Sequence, residues 1–275
     1  MIKKYNQYIK ETINIDIDPY GEEDWNDDNL SPLLQLVKKT GRPYDQITIL
    51  NCYLKQLTSL EGIEKLTNLK ELACSYNRLT SLIDLGYLVN INNLYCSNNR
   101  LTSLEGIENL INLRELNCDN NEITSLRGIE DLINLNVLQC SHNQLRDLNG
   151  IENINKLRHL NCNNNQLTSL EGIENLTNLK LLYCYNNQLE SLCDFNKLVN
   201  LEMINCSFNQ LKNINLENLI NLKKISFSNN LLTSLDGIEN LTTLTHLYCD
   251  YNRFSKEYKE YIQEFCKKRN IKLYI

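Results

Sequence analysis

Apolar and polar positions along this chain return in the same order every 22 residues from Ile47 onward. In the row that begins at Leu157, the apolar places are Leu157, Leu160, Cys162, Leu167, Leu170, Ile173 and Leu176. Leu160 and Cys162 are two residues apart, so a short strand would turn both to one side. The remaining apolar places recur every third residue, around a return that must be covered by about eleven residues. That length predicts turns and short 3-10 segments there, not long helices. Each row therefore predicts one strand and one return.

Two further columns keep step with the apolar ones. Cysteine fills the sixth place at Cys52, Cys74, Cys96, Cys118, Cys140, Cys162, Cys184 and Cys206. One residue is then missing, Phe227 takes the next sixth place, and Cys249 the last. Asparagine fills the ninth place at Asn77, Asn99, Asn121, Asn143, Asn165, Asn187, Asn209, Asn230 and Asn252. One row alone cannot bury enough to offset the entropy of ordering it. Stacked rows share a core and a parallel ladder, as nearest-neighbour repeats do. Where the strand gives way to the return, backbone groups lose their ladder partners. An inward Asn carries both donors and acceptors and can satisfy them, whereas Leu or Ser could not.

The pattern L-x-x-L-x-C-x-x-N-x-L, carried by residues 47–254, resembles the leucine-rich repeats. Its 22-residue length and L-x-x-L-x-G-I-x-x-L tail are similar to the bacterial-internalin and phosphatase-regulator subclass. The near-identity of the rows also resembles leucine-rich-repeat proteins of giant DNA viruses. The resemblance implies an α/β fold: a leucine-rich-repeat solenoid with a parallel sheet of about ten strands on the concave face. Turns and 3-10 segments are expected on the convex face, and helical caps at both ends.

The organisation expected is an N-terminal segment and helical cap over 1–46, repeats over 47–254, and a C-terminal cap of helix and short strand over 255–275. Ser31 and Pro32 open a short helix that runs through Val37 and is closed by Gly41. Residues 1–15 read as a second helix, with Ile2, Tyr5, Ile9 and Ile13 on one side. At the far end, Ser255 is the expected N-cap of a helix near Lys256–Arg269. Its apolar face would be Tyr258, Tyr261, Ile262 and Phe265. Ile271, Leu273 and Ile275 then alternate like a closing strand. Two rows break the pattern, at Ile83-Asp84-Leu85-Gly86-Tyr87 and at Cys193-Asp194-Phe195-Asn196-Lys197.

Composition narrows the partners. The chain has 42% hydrophobic and 23% charged residues and a net charge of −6. Nucleic-acid affinity comes from neutralising phosphates with Lys and Arg, so an acidic chain without a basic run is badly placed for it. The same holds for anionic membranes. No run of about 18 apolar residues occurs, and the N-terminus leads into no apolar signal segment. A cytoplasmic location is expected, the host cytoplasm if the chain is viral. The oligomeric state is not readable from the sequence.

No catalytic group, metal site or cofactor emerges. Every ladder cysteine would have two equivalent neighbours ~4.8 Å away and no unique partner, and no C-x-x-C pair occurs. The thiols therefore read as small buried side chains. Cys193 and Cys266 lie outside the column. The segment from Asp16 to Asp27 superficially resembles an EF-hand loop. Pro19, Tyr20 and the Asp at its twelfth place argue against calcium and for a solvated acidic loop. His142 and His159 would be ~16 Å apart along their rows, and His246 lies four rows from His159. The recurring Glu61, Glu105, Glu171, Glu64, Glu108, Glu130, Glu152, Glu174 and Glu239 read as a solvated acidic stripe.

The concave face remains. In the leucine-rich-repeat family the third, fifth, seventh and eighth places of each row point there. The middle rows offer small polar groups: Asn117, Asp119, Asn120, Gln139, Ser141, Asn161 and Asn163. The next rows offer Leu181, Tyr183, Tyr185, Met203 and Phe208, with Tyr76, Tyr95, Tyr248 and Tyr251 towards the ends. Aromatic side chains are favoured interface anchors. The function expected is a protein-interaction module or scaffold, not an enzyme, holding an unidentified protein partner at these residues. The alternative is a regulatory or targeting subunit of an enzyme such as a phosphatase or ubiquitin ligase. The acidic first 46 residues do not resemble an F-box, which counts against the ligase.

Overall fold

The computed structural model describes residues 30–192 and 195–275. The helix expected over residues 1–15, the acidic loop from Asp16 to Asp27, and Cys193 with Asp194 lie outside them. The chain divides into two units. The described parts of the first are residues 30–123 and 127–135, those of the second residues 124–126, 136–192 and 195–275.

In the first unit, helix α1 (Pro32–Lys38) precedes strands β1 (Ile49–Asn51), β2 (Glu71–Ala73), β3 (Asn93–Tyr95) and β4 (Glu115–Asn117). Ser31 caps α1, its hydroxyl accepting from the Leu34 amide, and Leu33, Leu34, Leu36 and Val37 are buried. A Cβ placed on Gly62 would overlap the Leu34 side chain, so α1 lies directly against the first return. The strands pair in parallel and in chain order, each residue with the one 22 places on: Leu50 with Leu72, Leu72 with Leu94, Leu94 with Leu116.

The second unit holds β5 (Val137–Gln139), β6 (His159–Asn161), β7 (Leu181–Tyr183), β8 (Met203–Asn205), β9 (Lys224–Ser226) and β10 (His246–Tyr248). Helix α2 (Lys256–Lys268) and strand β11 (Lys272–Tyr274) follow. These strands also pair in parallel and in order, ending with His246 opposite Lys272 and Tyr248 opposite Tyr274. Among the described residues there are eleven strands where about ten were expected, the last supplied by the C-terminal segment. Ser255 caps α2, accepting from the Tyr258 amide. The buried face of α2 differs from the expected one: Ile262 and Cys266 are buried, whereas Tyr261 is half exposed. The Tyr258 hydroxyl instead accepts from the Leu235 amide, and burial pushes its phenol up to about 12.

Both units use one coil. The central strand residue, the sixth-place residue and the apolar residues of the return are buried. The ninth-place Asn does what its chemistry suggested. Asn99 donates to the carbonyls of Cys74 and Cys96 and accepts from the Leu79 amide, all at 3.0 Å. Asn209 does the same with Cys184, Cys206 and Leu189. Each Asn thus joins its own coil to the one before. A second ladder was not anticipated. Asn90, Asn112 and Asn134 in the first unit, and Asn178, Asn200 and Asn221 in the second, donate to a return carbonyl of the preceding coil.

Two sequence readings need correction. The seventh place is not uniformly open to solvent: Ser141 and Asn163 are buried, as are Ser75, Ser97, Ser207 and Ser228, whereas Asp119 and Tyr185 are partly exposed. The Ser97 hydroxyl donates to that of Ser75 at 3.0 Å, so this place also ties neighbouring coils. The glutamates at 108, 130, 152 and 174 are not merely solvated. Glu108, Glu130, Glu152 and Glu174 each accept from the amide of the Gly two residues earlier, at 2.7–3.0 Å. Those glycines stand at φ of +101° to +106°, a region that L side chains rarely adopt.

Candidate binding surface

On β3 to β10, the third- and fifth-place residues flank a buried centre and point away from the core, as the period-two geometry requires. These side chains form the outward face of each unit's strands. Beyond each strand end, the eighth place is left-handed throughout, φ +53° to +58°. Asn98, Asn120, Asn164, Asn186 and Asn229 suit it, because Asn tolerates that region. Tyr76, Phe208 and Tyr251 occupy the same conformation with large exposed rings.

In the first unit the outward face is polar and acidic. The Asn93 amide donates to the Glu71 carboxylate at 3.3 Å, and the Tyr95 hydroxyl to Glu115 at 3.2 Å. Burial raises the Glu115 carboxyl; the Tyr95 hydrogen bond opposes that rise and the charge of Glu71 adds to it. Tyr76 lies past the end of β2 with its ring 5.0 Å from that of Tyr53.

In the second unit the face is apolar and aromatic in the middle. Leu181 stands opposite Met203, and His159 opposite Leu181. The Tyr183 hydroxyl points at the Met203 sulfur at 2.9 Å, and the Tyr183 ring meets His159 edge-on at 5.5 Å. Burial lowers the His159 pKa and raises that of Tyr183. Of the five residues expected to form a contact centre, the structure brings Leu181, Tyr183 and Met203 together on adjacent strands. Tyr185 and Phe208 lie beyond the strand ends, on the turns. Tyr95 belongs to the first unit.

Further along the second unit, the third places of β9, β10 and β11 hold Lys224, His246 and Lys272 in register. Their fifth places hold Ser226, Tyr248 and Tyr274. The two tyrosine rings stack at 4.4 Å and 6°. Tyr251 lies past β10, beside a 920 Å³ surface cleft also lined by Lys259, Gln263 and Tyr274. Sequence reasoning missed His159, Lys224, His246, Lys272 and Tyr274. Counting the third place through the row that lacks a residue would have found Lys224 and His246. Lys272 and Tyr274 stand outside the repeat, and only the pairing of β11 reveals them.

Exposed aliphatics also recur just before the second Asn ladder, at Val89, Ile111, Ile133, Val199 and Ile220. The same place is filled in both units, so it belongs to the coil and not to a local patch. The ten described cysteines are buried, and none of them is in a disulfide. Burial pushes Cys52 and Cys96 up to about 12; burial, with Cys266 and Asp250 adding to it, does the same for Cys249. Such thiols are poor nucleophiles and suit packing. Cys266 reaches the end of that thiol column from α2. Among the described residues no group of three or more His, Cys, Asp or Glu could hold a metal, and no helix is long and apolar enough to cross a membrane.

A family model described as leucine-rich repeats in two copies matches residues 89–134, 111–153, 133–175 and 155–197. No curated protein matches the chain in sequence. Among solved structures, the chain is similar to a leucine-rich-repeat protein of Leptospira interrogans, with 28% identity and a TM-score of 0.78, over 82% of this chain and 60% of that one. It is similar to the functional domain of InlJ from Listeria monocytogenes, which includes a cysteine ladder: 30% identity, TM-score 0.62, 77% of this chain and 50% of that one. The plant peptide hormone receptor RGFR1, solved in complex with RGF2, shares the fold at 23% identity and a TM-score of 0.56, over 70% of this chain and 37% of that one. The chain thus spans well under two thirds of each of these three proteins.

Proposed function

Because the chain is a leucine-rich-repeat protein, we propose that it works as a binding module or scaffold, holding a protein partner on the outward face of its strands rather than catalysing a reaction. The observation that carries this reading is the contiguous Leu181, Tyr183 and Met203 on β7 and β8, flanked by His159. Rigid aromatic side chains offer large contact area at low entropy cost, and a flexible Met adapts its shape to a partner. They stand at places where the coil asks for no particular residue, since the first unit fills the same places with Glu, Asn and Ala. Tyr185, Phe208, Tyr248 and Tyr251 would extend the contact in the second unit, Tyr76 and Tyr95 in the first.

The receptor that shares this fold was solved holding RGF2. That one member of the architecture holds a partner is consistent with the same use here. The test is capture of a protein from native-host lysate by the full chain, against Tyr183→Ala/Met203→Ala. We expect capture to be lost while the thermal unfolding midpoint moves by only a few degrees, as for a loss of about 1 kcal/mol. Loss of folding in parallel with capture, or capture unaffected by the double substitution, would defeat the assignment.

A further inference from the structure

The second unit's outward face does not end at the apolar cluster, and its continuation carries lysines that no carboxylate answers among the described residues. Lys224, His246 and Lys272 follow one another on β9, β10 and β11 in strict register. Adjacent strands lie ~4.8 Å apart, so the three places span roughly 10 Å. Several other lysines of this unit are matched by carboxylates. Lys180 and Lys223 share Glu202 at 3.0 and 2.7 Å and hold its carboxyl below the usual range, Lys212 meets Glu190, and Lys268 meets Glu264. Among the described residues, neither Lys224 nor Lys272 has a carboxylate within 4.0 Å. The side chains beside them at the fifth place, Ser226, Tyr248 and Tyr274, are neutral. Asp250, beyond the strand end, is engaged by the Ser228 hydroxyl.

We infer that the protein segment held by this face is acidic, with carboxylates set against Lys224, His246 and Lys272 and apolar side chains set against Leu181, Tyr183 and Met203. The inference rests on the reading of the strand face as a protein-binding surface, and it names the partner's chemistry. An extended peptide advances about 3.3 Å per residue, so a 10 Å row corresponds to two carboxylates within about four residues. In a chain of net charge −6, two lysines in register on one outward face give it local positive charge, and such complementarity selects partners and speeds encounter. A nucleic acid fits less well. Glu202 and Asp250 flank the row, and the apolar cluster offers phosphates nothing.

The test is selection from a short random-peptide display library on the full chain. It runs beside Lys224→Gln/Lys272→Gln, Lys224→Glu/Lys272→Glu and Tyr183→Ala/Met203→Ala, each checked for wild-type circular dichroism. The wild type should enrich peptides with clustered Asp or Glu next to Leu or aromatic residues. Their affinity should fall about tenfold in the glutamine variant, further in the glutamate variant, and with rising salt. Enriched peptides without acidic bias, lost in Tyr183→Ala/Met203→Ala, would overturn the acidic partner and leave the binding face standing. No enrichment that depends on either pair would remove both. Tighter binding of a short single-stranded oligothymidine than of any selected peptide would overturn the inference in favour of nucleic acid.

Discussion

The first unit's strands point Glu71, Asn93, Tyr95 and Glu115 outward, whereas the second unit's strands point His159, Leu181, Tyr183, Met203, Lys224 and Lys272 outward. The places between them hardly differ. Leu94, Cys96 and Asn99 in one unit match Leu182, Cys184 and Asn187 in the other, all with the same roles. The hydrogen bonds that both units share from coil to coil come from backbone groups, from ninth-place Asn and from the second Asn ladder. The outward places add cross-coil contacts that differ between the units, Asn93 to Glu71 in one and Tyr183 to Met203 in the other, so their chemistry is free to change from one unit to the next. A shared skeleton with divergent faces is what a recognition protein requires.

The comparison breaks first if the skeleton is not in fact shared. Asn99→Leu and Asn209→Leu each leave two carbonyls and one amide without their partner. At about 1–3 kcal/mol for each stranded group, both should lose roughly 3–9 kcal/mol in urea unfolding. Clearly unequal losses would mean the two units rest on different interactions. Next in size is a local difference. A Cβ on Gly106 would lie 2.4 Å from the Ile83 Cα and the Leu82 carbonyl oxygen, both backbone. On Gly172 it would meet only the flexible Glu152 and Ile151 side chains, at 3.3 Å or more. Gly106→Ala should therefore cost about 3 kcal/mol or more and Gly172→Ala about 1–2, by the same measurement.

A third test uses alkali. The folded chain keeps Cys96 and Cys249 protonated up to about 12, while an unfolded chain releases those protons from about 9. The folded form binds more protons between those values. The thiols' contribution is complete below pH 9 and disappears as pH rises towards 12. Cys96→Ala in one unit and Cys249→Ala in the other should each flatten the loss of stability by about 1.4 kcal/mol per pH unit within that window. Similar flattening in both units sharpens the shared-skeleton view. The smallest effects belong to the faces. Glu115→Gln should change stability by less than about 0.5 kcal/mol and leave partner capture intact; Tyr183→Ala should cost about 1 kcal/mol and abolish capture. Loss of capture in Glu115→Gln would move recognition to the acidic face.

Much of the skeleton was legible because its cause is periodic. The Cys and Asn columns, the 22-residue step and the caps at Ser31 and Ser255 all follow from residue types at fixed spacing. What escaped depends on how coils meet. Ser141 and Asn163 looked open to solvent, but the neighbouring coil covers them: the Asn161 amide donates to the Ser141 hydroxyl, and Asn163 accepts from the Tyr185 amide. Glu108 and Glu152 looked like surface charges because a Gly amide two residues away leaves no mark in composition. The candidate face was half legible. Tyr183 and Met203 are adjacent in space because their rows are adjacent in sequence, whereas Lys272 joins only through a strand that belongs to no repeat.

The coil beginning at Leu201 carries one residue fewer than its neighbours. Met203 pairs with Lys224, 21 residues on, and the loss is absorbed in the return, where the Leu216 amide reaches the Asp236 carbonyl. An insertion or deletion on that side leaves the outward row in line. Evolution, or a protein engineer, therefore has two separate dials on this scaffold: the length of each loop back, and the lettering along the front.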